Sequence, residues 1–326
     1  MSRASFYYLH PLLAGPIDMW PDHLDRIAAM RFDAVGIAPP FLPGASGDLF
    51  LTANHDRLDP RLGTGDAVAF LARLAQEAWD RRLRPMLDIV VDQVAAESLL
   101  AERARSWYHT DTDDEPPDPR RPPRQRGVAR LLADGDLPDL AEWWAKRLIE
   151  WAGVGVAGFR CIRPHHLPAA WWREVIATVR RRHPDTRFMA WTLDLDPGES
   201  AALAACAFDL VVSCSRAWDY RTGGYAETVD RLAQIAPLIA MPEAPFDRRL
   251  SRAFPDSGRA RRAADRALAF AASYGAGWLM PMGFEFGAAR DMDSARDRPE
   301  EFARLVAEAP FDLATEIGRA SCRERV

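Results

Sequence analysis

The chain has 326 residues, of which 48% are hydrophobic and 27% are charged, a balance that excludes a wholly disordered protein. Its net charge of −5 gives no electrostatic basis for binding nucleic acid or an anionic membrane. No apolar run approaches the roughly 20 residues that a membrane-spanning helix needs. The four cysteines form no CxxC pair, and the N-terminus lacks the apolar region of a signal peptide, so a cytoplasmic protein is expected.

Strand-like and helix-like segments alternate along the chain. Eight apolar segments predict strands: Phe6–Leu9, Ala34–Ala38, Pro85–Val90, the run that begins at Val154, Arg187–Thr192, Phe208–Ser213, Leu238–Met241 and one within Gly277–Phe286. Segments with helical periodicity follow them: Asp22–Met30, Asp66–Arg82, Asp139–Trp151, a helix from Pro168, Gly198–Ala205, Tyr225–Ile235, Ser257–Tyr274 and Pro299–Ala307. Eight β-then-α units predict a closed (β/α)8 TIM barrel over residues 1–310. An open doubly wound sheet is the alternative, but no glycine-rich phosphate fingerprint follows the first strand.

Two segments stand apart from this alternation. Residues 111–127, between the third strand and the third helix, are rich in Pro, Asp and Arg, which predicts a mobile loop within a short irregular insertion that lacks a core. Residues 316–326, EIGRASCRERV, resemble a vector-derived tail and are expected to be non-native. If they are, the native polypeptide is expected to continue in its own sequence beyond about residue 315, and this chain is a fragment of it.

The segment Gly158-Phe159-Arg160-Cys161-Ile162 lies where the fourth strand is predicted. In an alternating strand Arg160 and Ile162 lie on one face, and in a barrel that face would project toward the mouth. The segment resembles the motif Gly-Phe-Arg-x-Asp of the α-amylase family (glycoside hydrolase family 13), whose Asp is the nucleophile. Here Ile162 occupies the Asp position, and an alkyl side chain cannot form a glycosyl ester.

Further segments carry the same resemblance along the chain. Residues 59–64 (DPRLGT), a helix and residues 83–90 (LRPMLDIV) are similar in order and spacing to the family's run between strands two and three. Residues 136–140 (DLPDL) resemble the family's LPDL motif. The segments 158–161 (GFRC) and 283–286 (GFEF) are most similar to the α-1,4-glucan:maltose-1-phosphate maltosyltransferases. The resemblance implies an amylase-type barrel of α-glucan metabolism.

The resemblance also implies three catalytic carboxylates at the barrel mouth. Retaining enzymes place a nucleophile and an acid/base about 5–5.5 Å apart, and the family adds an Asp that helps to bind the sugar. Carried over position by position, these three places hold Ile162, Trp191 and Phe246. No catalytic residue is therefore expected. The three apolar side chains suggest a filled mouth whose packing contributes about 25 cal/mol per Å² of buried apolar surface.

Six residues remain candidates for sugar or phosphate binding: Asp88, Asp92, Arg160, Trp191, Glu243 and Arg249. Arg160 could contact a sugar or phosphate, although pairing with Asp88 is favoured. Trp191 could stack on a glucose ring, although core filling is favoured. Arg248, Arg249 and Arg252 follow the seventh strand, near where many barrels bind phosphate, but a solvated helix start is the favoured interpretation.

Metal and cofactor sites are not expected. His165 and His166 follow the fourth strand and could ligate a metal, yet no third ligand has suitable spacing, so surface histidines are favoured. The pairs Trp143-Trp144 and Trp171-Trp172 lie on predicted helices, where core or interface positions are typical.

Three functions remain open. The leading hypothesis is a catalytically inactive, N-terminal amylase-like module of a longer maltosyltransferase-like protein, with the catalytic domain downstream and a role in glucan binding, docking or assembly. The second is an active enzyme with relocated carboxylates, drawn from Asp88, Asp92, Asp194, Asp196, Glu243 and Glu285. The third is a scaffold or oligomerisation domain without affinity for sugars.

Overall fold

The computed structural model describes residues 4–103, 106–110, 127–132, 137–193, 195–218 and 220–323. Its strands are β1 (Ala4–Leu9), β2 (Ala34–Ile37), β3 (Phe41–Pro43), β4 (Thr52–Leu58), β5 (Arg84–Val90), β6 (Gln93–Ala95), β7 (Tyr108–Thr110), β8 (Val128–Leu131), β9 (Gly158–Ile162), β10 (Arg187–Trp191), β11 (Leu210–Cys214), β12 (Leu238–Met241) and β13 (Gly277–Pro281). Its α-helices are α1 (Pro11–Ala14), α2 (Trp20–Ala29), α3 (Ala67–Asp80), α4 (Leu99–Arg103), α5 (Leu137–Gly153), α6 (Ala169–Arg182), α7 (Pro197–Leu203), α8 (Gly224–Ala233), α9 (Ser257–Ser273), α10 (Pro299–Ala307) and α11 (Ala314–Arg323).

Eight parallel strands close into a barrel. The order around it is β1, β2, β5, β9, β10, β11, β12 and β13, and β13 pairs with β1 to complete the ring. Strands β2 and β12 are buried at every position, as expected for parallel strands enclosed by side chains inside and by helices outside. The predicted (β/α)8 barrel is confirmed.

Helix α3 shows how the local sequence sets an element of the outer layer. Asp66 caps its first turn, because the carboxylate accepts a hydrogen bond from the Ala69 amide at 2.8 Å. Phe70, Leu71 and Leu74 recur at helical spacing and are buried, so one face of α3 packs on the barrel while the other faces solvent.

The two tryptophan pairs belong largely to the core, as predicted. Trp144, Trp171 and Trp172 are buried, and Trp143 is half-buried. The Trp172 indole N–H donates to the Pro164 carbonyl at 2.8 Å, which ties α6 to the loop that follows β9. This hydrogen bond holds the loop after the fourth barrel strand, β9, against helix α6.

The insertion after β5 is more regular than the sequence indicated. Strands β6, β8 and β7 form a three-stranded antiparallel sheet in that order. Val94 and Ala129 are buried, and the Tyr108 hydroxyl donates to the Val91 carbonyl at 2.7 Å. The prediction of an irregular insertion without a core was wrong, because three- and four-residue strands separated in sequence leave too short a pattern to recognise. The predicted mobile loop spans residues 111–127. Of these, 111–126 lie outside the described part of the chain, and only Gly127 is described.

The C-terminal segment is helical where it is described. Helix α11 ends at Arg323, and Ile317 is buried against the barrel. The proposed non-native origin of residues 316–326 stays a prediction. Within the described ranges, no helix combines the length and apolar character needed to cross a bilayer.

Candidate functional site at the barrel mouth

A buried ion pair lies between the third and fourth barrel strands. Strands β5 and β9 pair in a register that sets Asp88 beside Arg160. The guanidinium donates to both carboxylate oxygens, with Nε–Oδ1 at 2.7 Å and Nη2–Oδ2 at 2.6 Å. The Tyr8 hydroxyl donates to Asp88 Oδ2 at 2.7 Å. The expected pairing of Arg160 with Asp88 is therefore present.

Aromatic rings complete the surroundings of Arg160. Its guanidinium carbon lies 4.4 Å from the centre of the Tyr8 ring and 4.7 Å from that of Trp191, both within cation–π range. Burial raises the pKa of Tyr8 well above its ordinary value, so its hydroxyl remains a donor. Burial also raises the pKa of Asp88, against the opposing effect of Arg160. Arg160 Nη1 is buried and has no hydrogen-bond partner among the described residues.

Cys161, beside Arg160, is not an activated thiol. Its side chain is buried, and burial raises its pKa well above the ordinary value for a thiol. A cysteine nucleophile requires the opposite shift. Cys161 therefore does not replace, as a nucleophile, the carboxylate whose position on β9 is held by Ile162.

The three positions of the family carboxylates lie at the strand ends but do not form a closed plug. Ile162 ends β9, Trp191 ends β10, and Phe246 lies in the loop after β12; all three are half-buried. Phe246 packs edge-on against Tyr8 and His10, with ring centres 6.0 and 4.9 Å away. The expectation of a filled mouth was wrong in this respect, because a cavity of about 720 Å³ remains beside Trp191 and Phe246.

Asp92 is held by two partners from the loop after β9. His166 Nδ1 lies 2.7 Å from Asp92 Oδ2, and Arg163 Nε lies 2.9 Å from the same oxygen. The expectation that His166 is simply a surface histidine missed this contact. The signal was absent from the sequence, since the two residues are 74 positions apart.

Arg249 is fully buried, so the solvated helix start favoured for it was wrong. Its Nη1 lies 2.5 Å from Glu243 Oε1, and its Nη2 donates to the Met282 carbonyl at 2.6 Å. The second Glu243 oxygen accepts from the Leu250 amide at 2.8 Å. These bonds fix the loop after β12, which carries Phe246, and leave neither charge free for a ligand.

The other candidate carboxylates are also engaged. Glu285 is buried and pairs with Arg26, and it accepts a hydrogen bond from the Tyr7 hydroxyl at 2.7 Å. Asp196 caps α7 through the Glu199 amide at 2.8 Å. Asp194 lies outside the described residues. Among the described candidates, none is a free carboxylate aimed at the mouth.

Residues 59–64, which resemble the amylase-family motif DPRLGT, hold neighbouring loops together. Asp59 is buried and holds the Arg61 guanidinium, with Nε 3.0 Å from each carboxylate oxygen. Arg61 then donates to the carbonyls of Ala295 and Gly47 at 2.6 and 2.7 Å. This clamp joins the connection between β2 and α3, which contains β3 and β4, to the segment between β13 and α10. The barrel and its strand-end segments together define an amylase-type (β/α)8 scaffold.

Comparisons with curated proteins support the resemblance within that class. The chain is 34% identical over 336 residues to an α-1,4-glucan:maltose-1-phosphate maltosyltransferase of Burkholderia pseudomallei, a match that covers 99% of this chain and 29% of that protein. It is 28% identical over 207 residues to maltosyltransferase 2 of Streptomyces coelicolor, covering 57% of this chain and 30% of that protein. No protein-family model matches. The resemblance to the maltosyltransferases is confirmed, and the chain spans about a third or less of each relative named here.

Solved structures confirm the fold. An α-amylase from Lactobacillus plantarum superposes with a TM-score of 0.74 at 17% identity, covering 100% of this chain and 80% of that one. The cyclic α-maltosyl-(1→6)-maltose hydrolase from Arthrobacter globiformis gives 0.73 at 17% identity, covering 100% of this chain and 83% of that one. These similarities place the chain among amylase-type barrels.

Proposed function

We propose that this barrel is a non-catalytic module of a longer maltosyltransferase-like protein of α-glucan metabolism, in which it binds glucan and docks against the catalytic domain. The single observation that carries the proposal is the occupancy of the three carboxylate positions by Ile162, Trp191 and Phe246. None of these side chains can act as a nucleophile or exchange a proton with a leaving group.

The remaining charges support a structural role for the acids at the mouth. Asp88, Asp92 and Glu243 each lie within 3 Å of a guanidinium nitrogen. A retaining mechanism needs one carboxyl group that is free to attack and another that is free to donate a proton. Carboxylates locked in buried ion pairs meet neither requirement, which disfavours the alternative with relocated carboxylates.

The lengths of the relatives support a module within a longer protein. The 336 residues matched in Burkholderia pseudomallei are 29% of that protein, whereas the 207 matched in Streptomyces coelicolor are 30% of theirs. The Burkholderia protein is therefore much the longer of the two, with room for this barrel in addition to a catalytic barrel.

Three buried free cysteines, Cys161, Cys206 and Cys214, are consistent with a reducing cytoplasm.

Glucan binding is tested by titrating malto-oligosaccharides while tryptophan fluorescence is recorded. Trp191 is half-buried and lines the open cavity, so we expect a saturable change whose affinity Trp191→Ala weakens by up to about tenfold, since stacking of an aromatic ring contributes about 0.5–1.5 kcal/mol. Trp79→Ala is the matched control, because Trp79 is 47% exposed on α3, away from the mouth. No saturable change in the wild type would favour the pure scaffold.

A further inference from the structure

Aromatic side chains form a partly exposed cluster on the outer layer of the barrel. They come from the segment after β11, the first turn of α8 and the end of α9: Trp218, Tyr220, Tyr225, Phe270 and Tyr274. The Phe270 ring stacks on Tyr274 with centres 4.2 Å apart and meets Tyr220 edge-on at 4.6 Å. Tyr220 and Tyr274 are 44% and 38% exposed. Neighbouring exposed aromatic rings are typical of interaction surfaces.

The contacts within this cluster set the offset between α8 and α9. The ring of Tyr225, in the first turn of α8, lies 5.6 Å from that of Tyr274, at the end of α9. Each helix connects two neighbouring parallel strands, so each runs from the carboxyl ends of the strands back to the amino ends. The body of α9 therefore lies on the side of the cluster toward the mouth, and the rest of α8 lies on the opposite side.

The two sides of the cluster carry opposite charges. Arg266 and Arg262 are exposed on α9, one and two turns before the cluster, at about 6 and 12 Å for a rise of 1.5 Å per residue. Glu227 and Asp230 are exposed on α8, about 3 and 8 Å beyond Tyr225 in the other direction. The face thus changes from basic through aromatic to acidic.

We propose that this face associates with the same face of a second copy of the chain in a two-fold dimer. A two-fold axis that crosses the aromatic cluster, perpendicular to the helices and parallel to the surface, makes the two faces antiparallel. Arg262 and Arg266 of one copy then lie over Glu227 and Asp230 of the other, and symmetry forms the same contacts a second time.

Charge complementarity selects a second copy over an uncharged occupant such as a glucan chain. Basic and acidic ends that face each other fix the antiparallel arrangement, whereas a parallel arrangement sets like charges together. The exposed rings of Tyr220 and Tyr274 meet their counterparts near the axis, where they lose contact with water. Buried aromatic residues at the centre of a contact surface contribute most to its affinity.

The test is sedimentation velocity of the whole chain at concentrations from about 1 to 300 µM, over which we expect monomer to give way to dimer. Two charge-reversed variants are compared: Arg262→Glu with Arg266→Glu, and Glu227→Arg with Asp230→Arg. Each sets like charges against each other and should weaken the dimer at least tenfold. An equimolar mixture of the two variants restores opposite charges in both halves of the contact, so it should dimerise about as well as the wild type.

Arg181→Glu with Arg182→Glu is the matched control, because both residues are exposed at the end of α6 and the change in net charge equals that of the α9 variant. It should dimerise as the wild type does. Tyr274→Ser leaves the charges in place and should weaken the dimer about tenfold. Thermal melts verify that every variant is folded.

A wild type that stays monomeric at every concentration overturns the proposal. Undiminished dimerisation of either charge-reversed variant, or a mixture of the two that stays monomeric, also overturns it. Neither a glucan nor another protein is added, so the result does not depend on the proposed function.

Discussion

Replacing Arg160 by leucine is expected to lower the free energy of unfolding by about 3–5 kcal/mol at pH 7. The variant leaves the Asp88 carboxylate buried among apolar side chains with only the Tyr8 hydroxyl as a partner. The charge then has no cation within the barrel to offset its lost hydration. Denaturant unfolding, followed by far-ultraviolet circular dichroism, measures the loss.

A double-mutant cycle separates the ion pair from the other contacts of Arg160. Asp88→Asn alone leaves an uncompensated guanidinium, whereas the double variant removes both charges, so its loss should be smaller than the sum of the two single losses. Arg187→Leu is the matched control on β10, because that side chain is 63% exposed in its pair with Asp209. It should cost less than about 1 kcal/mol. A similar small cost for Arg160→Leu would show that the pair does not organise the mouth.

Phe246→Ala is expected to lower the free energy of unfolding by about 2–3 kcal/mol, less than a fully buried Phe would lose. Its ring contacts Tyr8, His10 and Phe50, with the Phe50 ring centre 5.2 Å away. Its backbone is also in the left-handed region, at φ 64°, where a large side chain is strained. We therefore expect Phe246→Gly to be about 1 kcal/mol more stable than Phe246→Ala, the reverse of the usual order.

Phe254 is the control for this reversal. It is half-buried in the same connection between β12 and α9, but its φ is −130°. At position 254 the glycine variant should be less stable than the alanine variant. Alanine adopts this φ without strain, and glycine only raises the conformational entropy of the unfolded chain. Unfolding in urea ranks the four variants. The same order at both positions would contradict the view that packing of Phe246 maintains a strained backbone.

The sequence was sufficient to predict the barrel because each strand carries a short apolar run. The ends of the strands were predicted less accurately than their existence. The run from Val154 predicted a strand start four residues before Gly158, where β9 begins, because Val154 and Val156 donate to carbonyls of α5 and close that helix. Periodicity alone does not show where a helix end gives way to a strand.

The candidate site was predictable only where the partners lie on neighbouring strands. Asp88 and Arg160 could be paired in advance, because the family-like segments place them on adjacent strands. The contact of Asp92 with His166 and the burial of Arg249 depend on how loops fold over the mouth, which no local pattern encodes. The cavity behind Trp191 arises from the spacing of three strand ends, so it too required the structure.

The most direct test of the central claim is the rate at which the purified chain transfers maltosyl groups from maltose 1-phosphate to a malto-oligosaccharide. The Burkholderia pseudomallei maltosyltransferase serves as the active control. With Ile162, Trp191 and Phe246 at the three carboxylate positions, we predict no phosphate release and no chain extension above the blank. Turnover comparable with that of the control would contradict the account of a barrel that has kept its scaffold without its catalytic groups.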